Sequence, residues 1–115
     1  MKKQYEQPEA YLRDMLYEMG NISEFITGIK SSAELSADRR SLYACVRSFE
    51  IIGEAAKRLP ADFMKKHSGV PWREMMGMRD KLIHDYGGVD ADVVWKTICE
   101  DVPGLKAEIE RIIGK

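Results

Sequence analysis

Only two cysteines, Cys45 and Cys99, occur in the 115 residues, and they have no Cys-x-x-Cys spacing. A scaffold stapled by several disulfides is thereby excluded; one bond between the two is open, with two buried free thiols in a reducing compartment as the expectation. Histidine is equally scarce. His67 and His84, with two isolated cysteines, make no metal-ligand spacing, so a protein without metal or cofactor is expected. No apolar run approaches the ~20 residues that span a bilayer. The opening residues, Met-Lys-Lys-Gln-Tyr-Glu-Gln-Pro-Glu, lack the apolar stretch of a secretory signal, which points to a cytoplasmic protein. Nothing reads as a strand pair, and internal repeats and low-complexity segments are missing as well. Large net charge is also lacking: the total is −1, which argues against tight non-specific binding to nucleic acid.

What is present is enough for one core. Hydrophobic residues make up 44% of the chain and charged residues 32%, spread along its length, which suits a single domain over residues 1–115. Apolar positions recur in steps of three and four. Across residues 9–29 these are Leu12, Met15, Leu16, Met19, Ile22, Ile26 and Ile29, with Gly28 and the following polar residues predicting the end of that helix. A second helix is expected to start near Ser36 or Asp38, either able to act as N-cap, and to end before Pro60. Residues 61–67 predict one or two helical turns. A third long helix is expected from Pro71 or Trp72 through Met75, Met78, Leu82 and Ile83, loosened by Gly87-Gly88. Asp90 or Asp92 predicts the cap of the last helix, which Pro103-Gly104 should kink or split. The architecture implied is all-α: an antiparallel four-helix bundle with additional short helices. Methionines at helical core spacing read first as pliable core filling, with a dimer interface as the alternative.

Charge is uneven along this frame. Residues 57–81 carry seven Lys/Arg against three Asp/Glu, whereas residues 1–35 carry four against six. Beside the basic stretch lies Met78-Arg79-Asp80-Lys81-Leu82-Ile83-His84-Asp85-Tyr86. A histidine that titrates near neutrality can take the proton of a ribose 2′-OH, and an arginine can hold the attacked phosphate through paired hydrogen bonds. Together Arg79 and His84 suffice in kind for RNA cleavage without a metal. On an ideal helix they stand about 140° apart, while Asp80 and His84 share a face, as do Arg79 and Tyr86. A loosened helix or a symmetric dimer would each bring the pair together, and spacing leaves both routes open. An Arg/His pair of this kind also arises as a plain surface ion pair.

The blocks Ser48-Phe49-Glu50-Ile51-Ile52-Gly53-Glu54-Ala55-Ala56-Lys57-Arg58-Leu59-Pro60 and Pro71-Trp72-Arg73-Glu74-Met75-Met76-Gly77-Met78-Arg79-Asp80-Lys81-Leu82-Ile83-His84-Asp85-Tyr86 resemble HepT-like toxins of the HEPN superfamily. Gly88-Val89-Asp90 and Val94-Trp95 extend the likeness, which runs from about residue 40 to 106. The resemblance implies catalytic Arg79 and His84, a supporting polar Asp80 where Asn is frequent, and Tyr86 as a site of AMPylation. It implies a homodimer whose two motifs face one cleft. It further implies a metal-independent endoribonuclease giving 2′,3′-cyclic phosphate ends, acting as the toxin of a pair with a minimal nucleotidyltransferase antitoxin. The alternative implied is a non-catalytic helical dimer that binds a nucleotide or the nucleotidyltransferase. Asp80 and Asp85 beside His84 both favour its protonated form. Glu54 is expected either to reach the cleft or to pair with an arginine of the bundle, and Gly53 to serve close helix packing.

Overall fold

The computed structural model describes residues 7–83 and 88–114. Its elements are helical throughout: α1 (Pro8–Phe25), α2 (Ser32–Ala37), α3 (Arg39–Lys57), α4 (Ala61–Lys66), α5 (Trp72–Met76), α6 (Met78–Leu82), α7 (Ala91–Lys96), a π turn (Thr97–Asp101) and α8 (Val102–Ile113). Among the described residues no strand occurs, and one antiparallel bridge joins Ile83 to Val89. The all-α class expected from the periodicity is what the chain forms.

Helix ends follow local chemistry. Pro8 opens α1, where its missing N–H costs nothing, and Gly28 at φ 85 turns the chain after it. Helix α2 is a departure from expectation. Ser31 caps it by accepting from the Glu34 N–H at 3.1 Å, and Glu34 Oε1 accepts from the Lys30 N–H at 2.8 Å. Ser31-Ser32-Ala33-Glu34 thus works much like a capping box in a stretch that reads as polar linker. Of the two caps foreseen for the next helix, Asp38 is the one used: its Oδ1 accepts from the Ser41 N–H at 3.1 Å. Ser36 lies inside α2.

The third expected helix is broken. Gly77 adopts φ −94, ψ 10 between α5 and α6, and Ile83 is already extended, so the helix stops before the foreseen end. The last expected helix is widened rather than split. Pro103 has no N–H for the Cys99 carbonyl, and the turn before it becomes a π turn in which the Val102 N–H reaches back five residues to the Thr97 carbonyl.

Two uninterrupted helices and two interrupted ones share one core. Helix α1 lies along α3 and also meets α8; α5, α6 and α7 pack on α3, and α2 packs on α7. Leu12, Met15 and Met19 of α1 interlock with Cys45, Phe49 and Ile52 of α3, with Met75, Leu82, Val94 and Ile109 completing the cluster. Buried Met15, Met19, Met75 and Met78 bear out core filling as their use. The two thiols differ from expectation: both are free, but only Cys45 is buried, whereas Cys99 is exposed in the π turn. Among the described residues, no helix is long and apolar enough to cross a membrane.

Candidate functional site

The site begins with a glycine. A Cβ on Gly53, in the middle of α3, would stand 2.9 Å from the Met75 carbonyl oxygen of α5. Only a residue without a side chain lets the two backbones come this close, which is the packing purpose foreseen for it. With α5 held there, Gly77 redirects the chain into α6, and Arg79 comes to lie over α3. One turn before Gly53, Glu50 meets it: Arg79 Nε donates to Glu50 Oε2 at 3.1 Å.

Arg79 remains 61% exposed, while Glu50 is only 25% exposed. Glu50 therefore acts as the anchored member of the pair and Arg79 as the presented one. Beside them opens a cleft of about 310 Å³ between α3 and the α5–α6 break, lined by Arg47, Glu50, Glu54, Lys57, Arg79 and Asp80 above Phe49 and Met76. Its charges balance at three cations and three carboxylates. Glu54 reaches this cleft as expected, but its ion pair is with Lys57 at 3.5 Å, not with an arginine. The basic stretch of the sequence does not form one patch either: Lys81 turns to Asp101, at 3.5 Å.

Asp80 is 89% exposed and stands 3.9 Å from Arg79 Nη1, too far for a hydrogen bond. His84 and Tyr86 lie outside the described residues. The chain on either side of them is tied together by the Ile83–Val89 bridge and by the Asp90 N–H donating to the Leu82 carbonyl at 3.0 Å. Since α6 ends at Leu82, the 140° offset calculated for a continuous helix ceases to apply before His84 is reached. The other histidine, His67, is elsewhere: it stacks on Phe63 at 4.6 Å between ring centroids, and its carbonyl accepts from Trp72 Nε1 at 3.0 Å.

Sequence reasoning passed over Glu50 and Arg47. Their signal was present, because Arg47, Glu50 and Glu54 follow at helical steps on one face of α3 and share it with Gly53. Among the described residues no group of three or more His, Cys, Asp or Glu side chains is gathered as a metal site.

Comparison with known proteins places the same region in context. The family model described as ribonuclease HepT-like matches residues 15–112. A Thermococcus cleftensis protein named as a probable ribonuclease HepT is 46% identical over 102 residues, covering 89% of this chain and 92% of that protein. A Caldanaerobacter subterraneus protein named as a candidate RNase is 45% identical over 108 residues, with 94% and 96% covered. A Methanocaldococcus jannaschii protein joins a gamma-glutamylcyclotransferase and a candidate RNase in one name; it is 39% identical over 105 residues, 91% of this chain and 47% of its own length. No solved structure gives a significant match.

Proposed function

The chain belongs to the HepT-like ribonuclease family, and from that premise we propose that it is a metal-independent endoribonuclease acting through Arg79 and His84. The observation that carries the reading is the state of Arg79. Its Nε donates to Glu50, and its side chain stays largely exposed at a cleft, with Asp80 3.9 Å from Nη1, five residues before the histidine. A guanidinium tethered by one edge is preorganised for a phosphate on the other, and donors fixed beforehand lose little on reaction.

In the proposed reaction His84 removes the proton of a ribose 2′-OH. The freed oxygen attacks the adjacent phosphorus, the bond to the 5′-oxygen breaks, and that oxygen leaves with a proton given by the His84 of a second copy acting as general acid. The products are a 2′,3′-cyclic phosphate and a 5′-hydroxyl; DNA, lacking the nucleophile, does not react. Arg79 holds the phosphate as charge builds on its oxygens. Asp80 supports the imidazole. The assembly in this reading is a homodimer of four-helix bundles with two motifs at one cleft, and the working context is a toxin paired with a minimal nucleotidyltransferase. That partner would transfer AMP from ATP to the Tyr86 hydroxyl, releasing pyrophosphate. Added phosphate charge and bulk beside Arg79 then repel RNA.

Purified protein incubated with RNA in EDTA tests the reading. Cleavage with cyclic phosphate ends is expected, falling at least about 10²-fold in Arg79→Ala and in His84→Ala, the scale of losing a transition-state donor or a general base. Undiminished cleavage in a folded His84→Ala protein sinks the assignment. Protein that binds RNA or a nucleotide and cuts nothing points instead to the binding module. Mass spectrometry after incubation with partner and ATP is expected to find AMP on Tyr86, and an adduct that persists in Tyr86→Phe rejects that site.

A further inference from the structure

Glu50 holds two arginines at once. Its Oε2 accepts from Arg79 Nε at 3.1 Å, and its Oε1 accepts from Arg47 Nη1 at 3.4 Å. Arg47 belongs to α3 itself, three residues before Glu50, whereas Arg79 arrives from α6. Both guanidiniums line the same cleft, and Arg47 is 70% exposed. Stability gives little reason for this arrangement, because exposed ion pairs contribute little to folding. Charge and donor count give a better one. Two guanidiniums on one carboxylate leave a net positive trio. Each carries five N–H donors, and among the described residues each spends only one of them in a hydrogen bond.

Of the remaining charges, Glu54 is matched by Lys57, and Asp80, 3.9 Å from Arg79 Nη1, brings the lining to neutrality but is 89% exposed, so solvent weakens its hold on the guanidinium. At about 310 Å³ the cleft lies at the lower end of small-ligand pockets.

We infer that Arg47 is a second phosphate-binding residue, so that the cleft grips single-stranded RNA by two neighbouring phosphates. Arg79 takes the phosphate at which the chain is cut, Arg47 takes the next, and Glu50 is the positioning residue that sets their separation. This rests on the ribonuclease reading for which phosphate is cut, but not for whether two are held.

Binding to an uncleavable strand separates the two claims. The probe is a fluorescent oligouridylate with every 2′-OH methylated, titrated by anisotropy between 50 and 200 mM salt. Each phosphate contact on a single strand contributes about 0.7 to the slope of log affinity against log salt. Arg47→Ala is expected to lower the slope by about that amount. Arg13→Ala, which removes an exposed arginine paired with Glu9 on α1, is expected to leave it unmoved. Glu50→Gln, nearly isosteric, removes a carboxylate that by charge alone would repel RNA. A positioning role predicts weaker binding and a smaller slope in that variant, with helicity unchanged. Tighter binding in Glu50→Gln overturns the positioning role. An Arg47→Ala slope equal to wild type overturns the second phosphate site, as does an equal loss in Arg13→Ala, which would make the effect one of overall charge. Wild-type protein that fails to bind the probe overturns it too. Wild-type protein that binds but never cuts RNA leaves the two-phosphate grip standing and removes the ribonuclease reading alone.

Discussion

Cys45 is buried on the core face of α3, while Cys99 is exposed in the π turn, and their chemistry should diverge accordingly. Burial pushes the Cys45 thiol up to about 12 by penalising its charged form, so almost none of it is thiolate near neutrality. Native protein treated with iodoacetamide at pH 8 is expected to gain one adduct, on Cys99, and two only after unfolding; rapid labelling of Cys45 in the folded state would contradict its placement. At Gly53 the decisive quantity is the 2.9 Å from a built Cβ to the Met75 carbonyl. Alanine gains about 1 kcal/mol of helix propensity, but the obstacle is backbone and cannot swing aside as a side chain would. Overpacking of that kind costs about 1–3 kcal/mol, so Gly53→Ala is expected to lower stability by up to about 2 kcal/mol net in urea unfolding. A midpoint at or above wild type would show that α3 and α5 can part freely. The sequence made the glycine conspicuous, and its neighbour Glu50 equally visible but unremarked. What no single helix discloses is which residue of α3 an arginine from another element will find, because that depends on the tertiary crossing.

Periodicity disclosed α1, α3 and α8 well, since each buries a continuous apolar stripe whose spacing survives any detail of packing. It was less informative where a short element depends on hydrogen bonds. Helix α2 buries a single residue, Leu35, and owes its start to the Ser31 cap; the break at Gly77 interrupts a stripe whose period is unbroken. That second miss matters for the proposed site, because the break aims Arg79 at the cleft. Caps are testable on their own terms. Asp38 begins α3, and its carboxyl is held below the usual range, chiefly by the Ser41 backbone N–H and then by the Ser41 hydroxyl. A depressed folded-state pKa contributes stability above the unfolded value, near 3.9, and loses it as pH falls through the folded value. Asp38→Ala is therefore expected to melt below wild type at pH 7. The gap should hold down to about pH 5, narrow as pH drops below about 4, and close once pH passes the lower value at which the folded carboxyl protonates. A gap that stays constant to pH 2 would assign the loss to something other than the charged cap.

For the molecule as a whole, family membership and the Arg79 cleft leave a question of symmetry that one chain poses clearly. Helix α6 ends at Leu82, and the chain beyond Ile83 returns to pair at Val89. The offset of a continuous helix therefore stops applying at Ile83, and in the proposed reading the histidine that works with Arg79 can belong either to the same subunit or to a second copy across a two-fold axis. Mixing inactive variants distinguishes these arrangements. In a dimer of one Arg79→Ala chain and one His84→Ala chain, sites built within a subunit are all defective. Sites built across the axis include one that takes Arg79 from the second chain and His84 from the first, and this one keeps both. Random reassociation makes about half of the dimers hybrids with one such site of two, though without the acid that the His84→Ala chain has lost. Cleavage should therefore rise above that of either variant, to at most about a quarter of wild type. We expect that recovery if the two motifs share a cleft, since the fixed guanidinium and an imidazole from the facing copy can then approach one phosphodiester from opposite sides. Recovery should also depend on exchange, appearing after denaturation and refolding of the mixture and not at once when the two refolded proteins are combined well above their dissociation constant, before subunits have exchanged. Hybrids that form, as shown by mass, yet stay inactive would confine the Arg79–His84 pair to a single subunit.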